Sequence, residues 1–169
     1  MIRPAQIRDA RAIAEIQVAS WRATYVGQVP EDYLAALSVE TREGAWRECI
    51  ERYEGSILVS VNIEIVQGFV NFGPCRDGES AARLGEIYAI YLSPSNLRCG
   101  IGARLWCSAI DALTIQKFDA ATVWVLDSNL SARAFYEKMG CHLDGGEKSE
   151  TIGSQKVVVL RYRTSLNCT

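Results

Sequence analysis

A chain of 169 residues, 49% of them hydrophobic, is long enough for one compact domain with a full core, and no linker-like stretch divides it. Eighteen basic against twenty acidic side chains leave a formal net charge of −2, which gives no electrostatic footprint for nucleic acid and makes small partners the expectation. No apolar run approaches the ~20 residues that cross a bilayer, and the N-terminus lacks the basic-then-apolar layout of an export signal, so a cytoplasmic protein without membrane contact is expected.

Met1 to Gln6 reads as a short strand, after which Asp9 is placed to cap a helix that runs to about Arg22 with Ile13 and Ile16 inward. Gly27 interrupts the pattern, and Pro30 suits the first turn of a short helix through Tyr33, Leu34 and Leu37. Trp21 and Tyr25, four residues apart, either pack their helix or wall a substrate pocket. A further helix from about Thr41 to Tyr53 is expected to bury Trp46, Cys49 and Ile50. Ile57 to Val61 and Ile63 to Phe72 are rich in β-branched and aromatic residues and form an antiparallel hairpin about Asn62. Gly73 to Arg83, with Asp77, Gly78 and Glu79, reads as a polar loop.

The run Ile87, Ala89, Ile90, Tyr91 and Leu92, between Gly85 and Pro94, has the composition of a strand covered on both faces. Gly100 and Gly102 then supply backbone freedom where a helix begins, with Ile101, Leu105, Ala109, Ile110 and Leu113 on its inner face. Unpaired amides and the helix dipole favour an anion at such a joint, and Arg98 and Arg104 add full charges. Leu105 stands where the dinucleotide pattern needs its third glycine, and no Lys-Ser or Lys-Thr completes a P-loop, so neither nucleotide motif is met.

Ala120 to Leu126 forms another strand, and a second helix opens near Asn129, buries Ala132, Phe135, Tyr136 and Met139, and stops at Gly140. Two closing strands are expected at Cys141 to Glu147 and Gln155 to Arg163. The result is a mixed α/β (α+β) sheet with helices on both faces. Six scattered cysteines, Cys49, Cys75, Cys99, Cys107, Cys141 and Cys168, show no C-x-x-C pair and read as reduced thiols. His142, the one histidine, points away from Cys141 in a strand, which argues against a metal site.

Two stretches together resemble the GNAT superfamily of acyl-CoA-dependent N-acetyltransferases. EIYAIYLSPSNLRCGIGARL is similar to that family's strand, proline turn and R/Q-x-x-G-x-G/A pyrophosphate loop, although Leu97 stands at the Arg/Gln position and Arg98 follows it. NLSARAFYEKMGC matches its N-x-x-A-x-x-F-Y-x-x-x-G pattern through Asn129, Ala132, Phe135, Tyr136 and Gly140. The resemblance implies a mostly antiparallel sheet whose central parallel pair splays to accept CoA, with acetyl-CoA as cosubstrate and no metal. It implies pairing of the cofactor arm with Ile90, Tyr91 and Leu92, and pyrophosphate on Arg98, Cys99, Gly100, Ile101, Gly102 and Ala103. Asn129 is implied on the cofactor arm, where capping its helix explains it equally well, and Arg133 on a CoA phosphate.

The implied chemistry needs an amine without its proton and a donor for the departing thiolate. Tyr136 matches the family position that puts a phenol near the sulfur, and is otherwise core. Glu86, a lone carboxylate in an apolar strand, is the candidate base, acting directly or through a water; it could instead merely attract the ammonium, face water or pair with an arginine. Trp21, Tyr25 and the Gly73 to Arg83 loop would build the pocket for a small-molecule amine or peptide acceptor, whose identity stays open. A cysteine-carried route through Cys99 lacks a base. A CoA-binding or sensing module without turnover is the non-enzymatic alternative, and the resemblance leaves room for a homodimer.

Overall fold

The computed structural model describes residues 1–53, 55–78 and 83–166; Glu79 and Cys168 lie outside the described residues. The strands are β1 (Ile2–Pro4), β2 (Ile57–Asn62), β3 (Ile65–Pro74), β4 (Leu84–Leu92), β5 (Ala120–Leu126), β6 (His142–Ile152) and β7 (Gln155–Ser165). They form one seven-stranded sheet in the order β1-β2-β3-β4-β5-β7-β6. Helices α1 (Ala10–Thr24), α2 (Glu31–Ala35), α3 (Val39–Arg52), α4 (Ile101–Ile115) and α5 (Leu130–Lys138) cover it. None of the helices is long and apolar enough to cross a membrane.

Strand alternation sends side chains to two cores. On one face, Val70, Phe72, Ile87, Val123 and Val125 pack with Leu105, Trp106, Ala109 and Leu113 of α4 and Tyr136 of α5. On the other, Val59 and Phe69 meet Ile13 and Ile16 of α1, while Leu126, Val157 and Val159 meet Tyr25, Val29 and Leu34 around α2. Full burial of such a side chain contributes roughly 1.5–3 kcal/mol.

The centre of the sheet is interrupted. β4 and β5 run parallel but pair only from Leu84 opposite Ala120 to Ile87 opposite Val123. The next residue, Tyr88, is a bulge: Phe72 pairs with Ile87 and Asn71 with Ala89, which leaves Tyr88 without a partner on β3. A bulge bends and twists its strand. β4 therefore follows β3 away from β5, while β5 stays paired with β7 as far as Leu126 opposite Val159.

Several local expectations differ from the structure. Asp9 does not cap α1; its carboxylate accepts from Gln6 N at 2.8 Å and from Arg3 Nη1 at 2.6 Å, closing the 3-10 turn that precedes the helix. Ser38 caps α3 by accepting from Thr41 N, and Trp46, Cys49 and Ile50 are only half-buried because α3 packs chiefly on α1 as an outer layer. Ile63 is no strand residue: it and Glu64 form the tight hairpin turn at φ +46° and +68°. Gly73 and Pro74 belong to β3, opposite Glu86 and Gly85, so the loop before β4 is shorter than the composition suggested. β6 starts at His142 rather than Cys141 and runs on to Ile152.

Gly68 sits where β3 meets the end of β4. A Cβ there would lie 2.8 Å from Tyr91 O and against Leu92, so the strand pair itself must shift. Gly68→Ala is expected to lower stability by about 1–3 kcal/mol in urea denaturation, the usual cost of overpacking.

Candidate active site

Where β4 and β5 part, a cleft of about 850 Å³ passes between the two faces of the sheet. On the α4 and α5 side it is walled by Leu92, Leu97, Arg98, Gly100, Gly102, Ala103, Asn129, Phe135 and Tyr136. On the α1 side its wall includes Trp21, Tyr25, Tyr91, Trp124, Lys148 and Ile152. The edge of Tyr88 to Leu92 that faces β5 has no strand partner among the described residues and runs along this opening.

The turn into α4 is shaped to hold an anion. Arg98 at φ +60° and Gly100 at φ +73° are both left-handed, and α4 starts directly after Gly100. From Arg98 to Ala103 no amide finds an acceptor among the described residues; pairing resumes with Arg104 N on Gly100 O at 3.2 Å. Successive free amides at a helix N-terminus form an anion-binding concavity. Gly100 is required by its backbone angle rather than by crowding, since a Cβ there would meet nothing within 4 Å. At Gly102 a Cβ would reach 3.5 Å from both Leu92 and Phe135. Ile101 turns its side chain into the core and Cys99 is exposed with its Sγ on Leu97 O, and neither residue lines the cleft.

Tyr136 stands on α5, packed against Trp106, Phe135 and Tyr162. It is 6% exposed, and among the described residues no protein group bonds its hydroxyl, although the residue lines the cleft. Burial pushes this phenol well above its ordinary pKa, so it keeps its proton throughout the usual pH range. Asn129 caps α5 through its Oδ1, which accepts from Ala132 N at 3.1 Å, and its Nδ2 donates to the Tyr25 hydroxyl at 3.3 Å. Trp21 donates to the Tyr91 hydroxyl at 2.9 Å and stacks on Tyr25 at 4.8 Å. Trp21 and Tyr25 thus both pack their helix and line the cleft. Arg133 lies outside the lining, bound to Asp127 and to the Tyr162 hydroxyl at 3.2 Å.

Glu86 is 1% exposed and does not line the cleft. Both its oxygens are taken by Arg76: Oε2 accepts from the backbone N at 3.0 Å and Oε1 from Nη2 at 2.5 Å. The pair raises the Arg76 guanidinium above its ordinary pKa. Arg76 itself lines the cleft, over the Tyr88 ring at 4.2 Å. The adjacent Asp77 accepts from Trp124 Nε1 at 3.1 Å and from Arg161 Nη1 at 3.0 Å, which ties the segment after β3 across β5 and β7.

Arg76 lines the cleft from within the Gly73 to Arg83 loop expected to wall the pocket, while Tyr88, Trp124, Lys148, Glu150 and Ile152 line it without having been singled out from sequence. For the last three the usable signal was strand period: Lys148, Glu150 and Ile152 alternate along β6, but a strand with polar residues on both faces leaves no apolar pattern. Among the described residues, no three of His, Cys, Asp and Glu cluster as metal ligands do.

A sheet opened at a parallel strand pair, with a free-amide turn on one side of the gap and a phenol within it, suits an acyltransferase. The sequence profile of the acetyltransferase (GNAT) family matches residues 12–141, and the chain belongs to that family. An uncharacterized N-acetyltransferase of Bacillus subtilis (strain 168), YuaI, is 35% identical over 136 residues, covering 80% of this chain and 76% of that protein. The ribosomal-protein-alanine N-acetyltransferase of Brucella melitensis superposes with a TM-score of 0.77 at 20% identity, covering 98% of this chain and 99% of that one. A putative acetyltransferase of Salmonella typhimurium, yncA, solved with acetyl-CoA, superposes at 0.76 with 19% identity, covering 100% of this chain and 95% of its own.

The buried phenols make a checkable pattern. Burial raises Tyr88 to about 12 and holds Tyr91 and Tyr136 higher still. A raised folded-state pKa means that this part of stability is complete below the unfolded value of about 10 and is lost as pH rises through the folded values. Tyrosinate absorbance of the folded protein at pH about 10 should be the same with Tyr136→Phe as without it, the missing phenol showing only after unfolding.

Proposed function

We propose that this protein transfers an acetyl group from acetyl-CoA to a primary amine by direct attack in a ternary complex. The observation that carries this reading is the Tyr136 hydroxyl, unpaired among the described residues, in a cleft that reaches the free-amide turn on one face and an aromatic basket of Trp21, Tyr25, Tyr91 and Trp124 on the other. The residues present fit acetyl-CoA. The amides of Arg98 to Ala103 and the Arg98 side chain would hold its pyrophosphate, and the bare edge of Tyr88 to Leu92 would pair with the amides of its pantetheine arm. Leu97 does not remove this capacity, because the backbone supplies the donors.

In the proposed reaction the amine nitrogen adds to the thioester carbonyl carbon, the C–S bond breaks, and the Tyr136 phenol protonates the leaving sulfur. Glu86 does not reach the cleft while Arg76 occupies both its oxygens, so the acceptor loses its proton to water, and Glu86 acts on the acceptor through Arg76 alone.

Tyr136→Phe keeps the packed ring, so acetyl-CoA affinity should hardly move while turnover falls ~100-fold, as on loss of a general acid. Thiol release from acetyl-CoA with an amine panel measures this; wild-type turnover in the variant would leave Tyr136 a packing residue, and binding without release from any amine would favour a CoA-sensing module. Gly100→Val forces a β-branched residue to φ +73° and re-aims the free amides. Calorimetry should show acetyl-CoA affinity reduced at least ~10-fold in a folded Gly100→Val protein.

A further inference from the structure

The far wall of the cleft, beyond the aromatic basket, carries two cations and one carboxylate. Lys148 Nζ lies over the Trp124 ring at 4.3 Å and bonds Glu150 Oε1 at 3.1 Å, so each neutralises the other. Glu150 is the only carboxylate among the described residues that line the cleft. Arg76 differs from Lys148. Its buried partner Glu86 occupies the backbone N and one Nη2 proton, and the rest of the guanidinium, Nε and Nη1 included, meets no acceptor among the described residues. The side chain is 64% exposed, lines the cleft, and lies on the Tyr88 ring. A guanidinium has five donors in a fixed fork, so one edge can be anchored while the other stays available to a planar anion.

This arrangement is built rather than incidental. Glu86 comes from β4 just before the bulge, and Tyr88 is the bulged residue itself, its hydroxyl bonded to Pro74 O at 2.6 Å. Asp77, next to Arg76, is fixed to β5 and β7 through Trp124 and Arg161. Arg76 is thus fixed from below by Glu86, from the side by Tyr88 and along the chain by Asp77. A polyamine would need unpaired carboxylates along its path, and among the described residues the cleft lining offers none.

We propose that the acceptor is a small amine that also carries a carboxylate, bound through the outward edge of Arg76, with Glu86 as the positioning residue that fixes that edge. This rests on the acetyl-transfer reading. The carboxylate pairs with the guanidinium fork, and the amine end extends past Trp124 and Tyr91 toward the gap between β4 and β5.

The test compares matched acceptors by thiol release at saturating acetyl-CoA: 4-aminobutyrate with butylamine, L-phenylalanine with L-phenylalaninamide, L-methionine with L-methioninamide, and spermidine alone. The carboxylate member of at least one pair should have kcat/KM about 10- to 100-fold higher, the range for a charge-assisted hydrogen bond. The amides keep one carbonyl acceptor for Arg76 but replace the second, charged oxygen by an NH2 donor, so equal rates for acid and amide would overturn the proposal. Arg76→Gln should bring the acid-to-partner ratio near unity, and Arg76→Lys, which keeps charge but loses the fork, should fall between. An Arg76→Gln protein that retains the full preference sinks the assignment. Glu86→Gln should raise KM for the carboxylate acceptor more than it lowers kcat, with the wild-type shape of the pH-rate profile; loss of kcat at neutral pH recovered in alkali would make Glu86 a base and overturn its positioning role. Acetylation of spermidine or butylamine with no preference for any acid sinks this proposal alone, whereas no thiol release from any amine sinks the acetyl-transfer reading beneath it.

Discussion

One unpaired residue governs the geometry of the molecule. Tyr88 is extra on β4, so β4 turns with β3 instead of continuing beside β5. A parallel pair that stops after Ile87 leaves bare backbone edges and a gap through the sheet, and buried edges need a partner. A substrate arm with its own amides would meet that need, so an apparent defect in the sheet suits an extended ligand. Gly73, directly across from Glu86, leaves room for the Tyr88 ring; a Cβ there would lie 2.6 Å from its hydroxyl.

The two sides of the gap do different work. On the α4 side, polarity is carried by backbone: left-handed Arg98 and Gly100 turn successive amides outward, and the helix dipole reinforces them. On the α1 side, it is carried by side chains in paired sets, Glu86 with Arg76, Asp77 with Arg161, and Glu150 with Lys148. Backbone donors suit an anion common to many substrates, since no side chain need be specified. Side-chain pairs suit selection, because exchange of one member changes what the other presents.

Much of the architecture was legible because it depends on local pattern. The apolar run of Ala120 to Leu126, the Asn129 cap and the Gly140 stop lie where the sequence placed them. The turn into α4 was legible because glycine disfavours a helix interior, so two glycines beside an amphipathic run mark where the backbone must turn. The misreadings share a cause. Asp9 suited a cap by type and position, but Arg3 from β1 claimed its carboxylate. The polar second half of β6 carried no period, since its pattern is imposed by β7 across the ladder. Ile63 looked like strand by composition, and a two-residue turn overrode that preference.

Glu86 marks the same boundary. Its type and its place in an apolar strand were plain from the sequence, and pairing with an arginine was one of the readings open there. That the arginine would be Arg76, ten residues earlier on the far side of the hairpin, depends on how Pro74 and Gly85 pair and how the following segment folds over β4. By itself the sequence determined the order of elements, and also the glycine turn into α4 and the phenol at Tyr136, each encoded within a few residues. The splay of β4 from β5 was expected from the family resemblance; only the tertiary structure decided its place after Ile87, the wall formed by Trp124 and Lys148, and the outward-facing guanidinium of Arg76. The reason is that these depend on contacts between strands distant in the chain, where register, not residue type, selects which side chains meet.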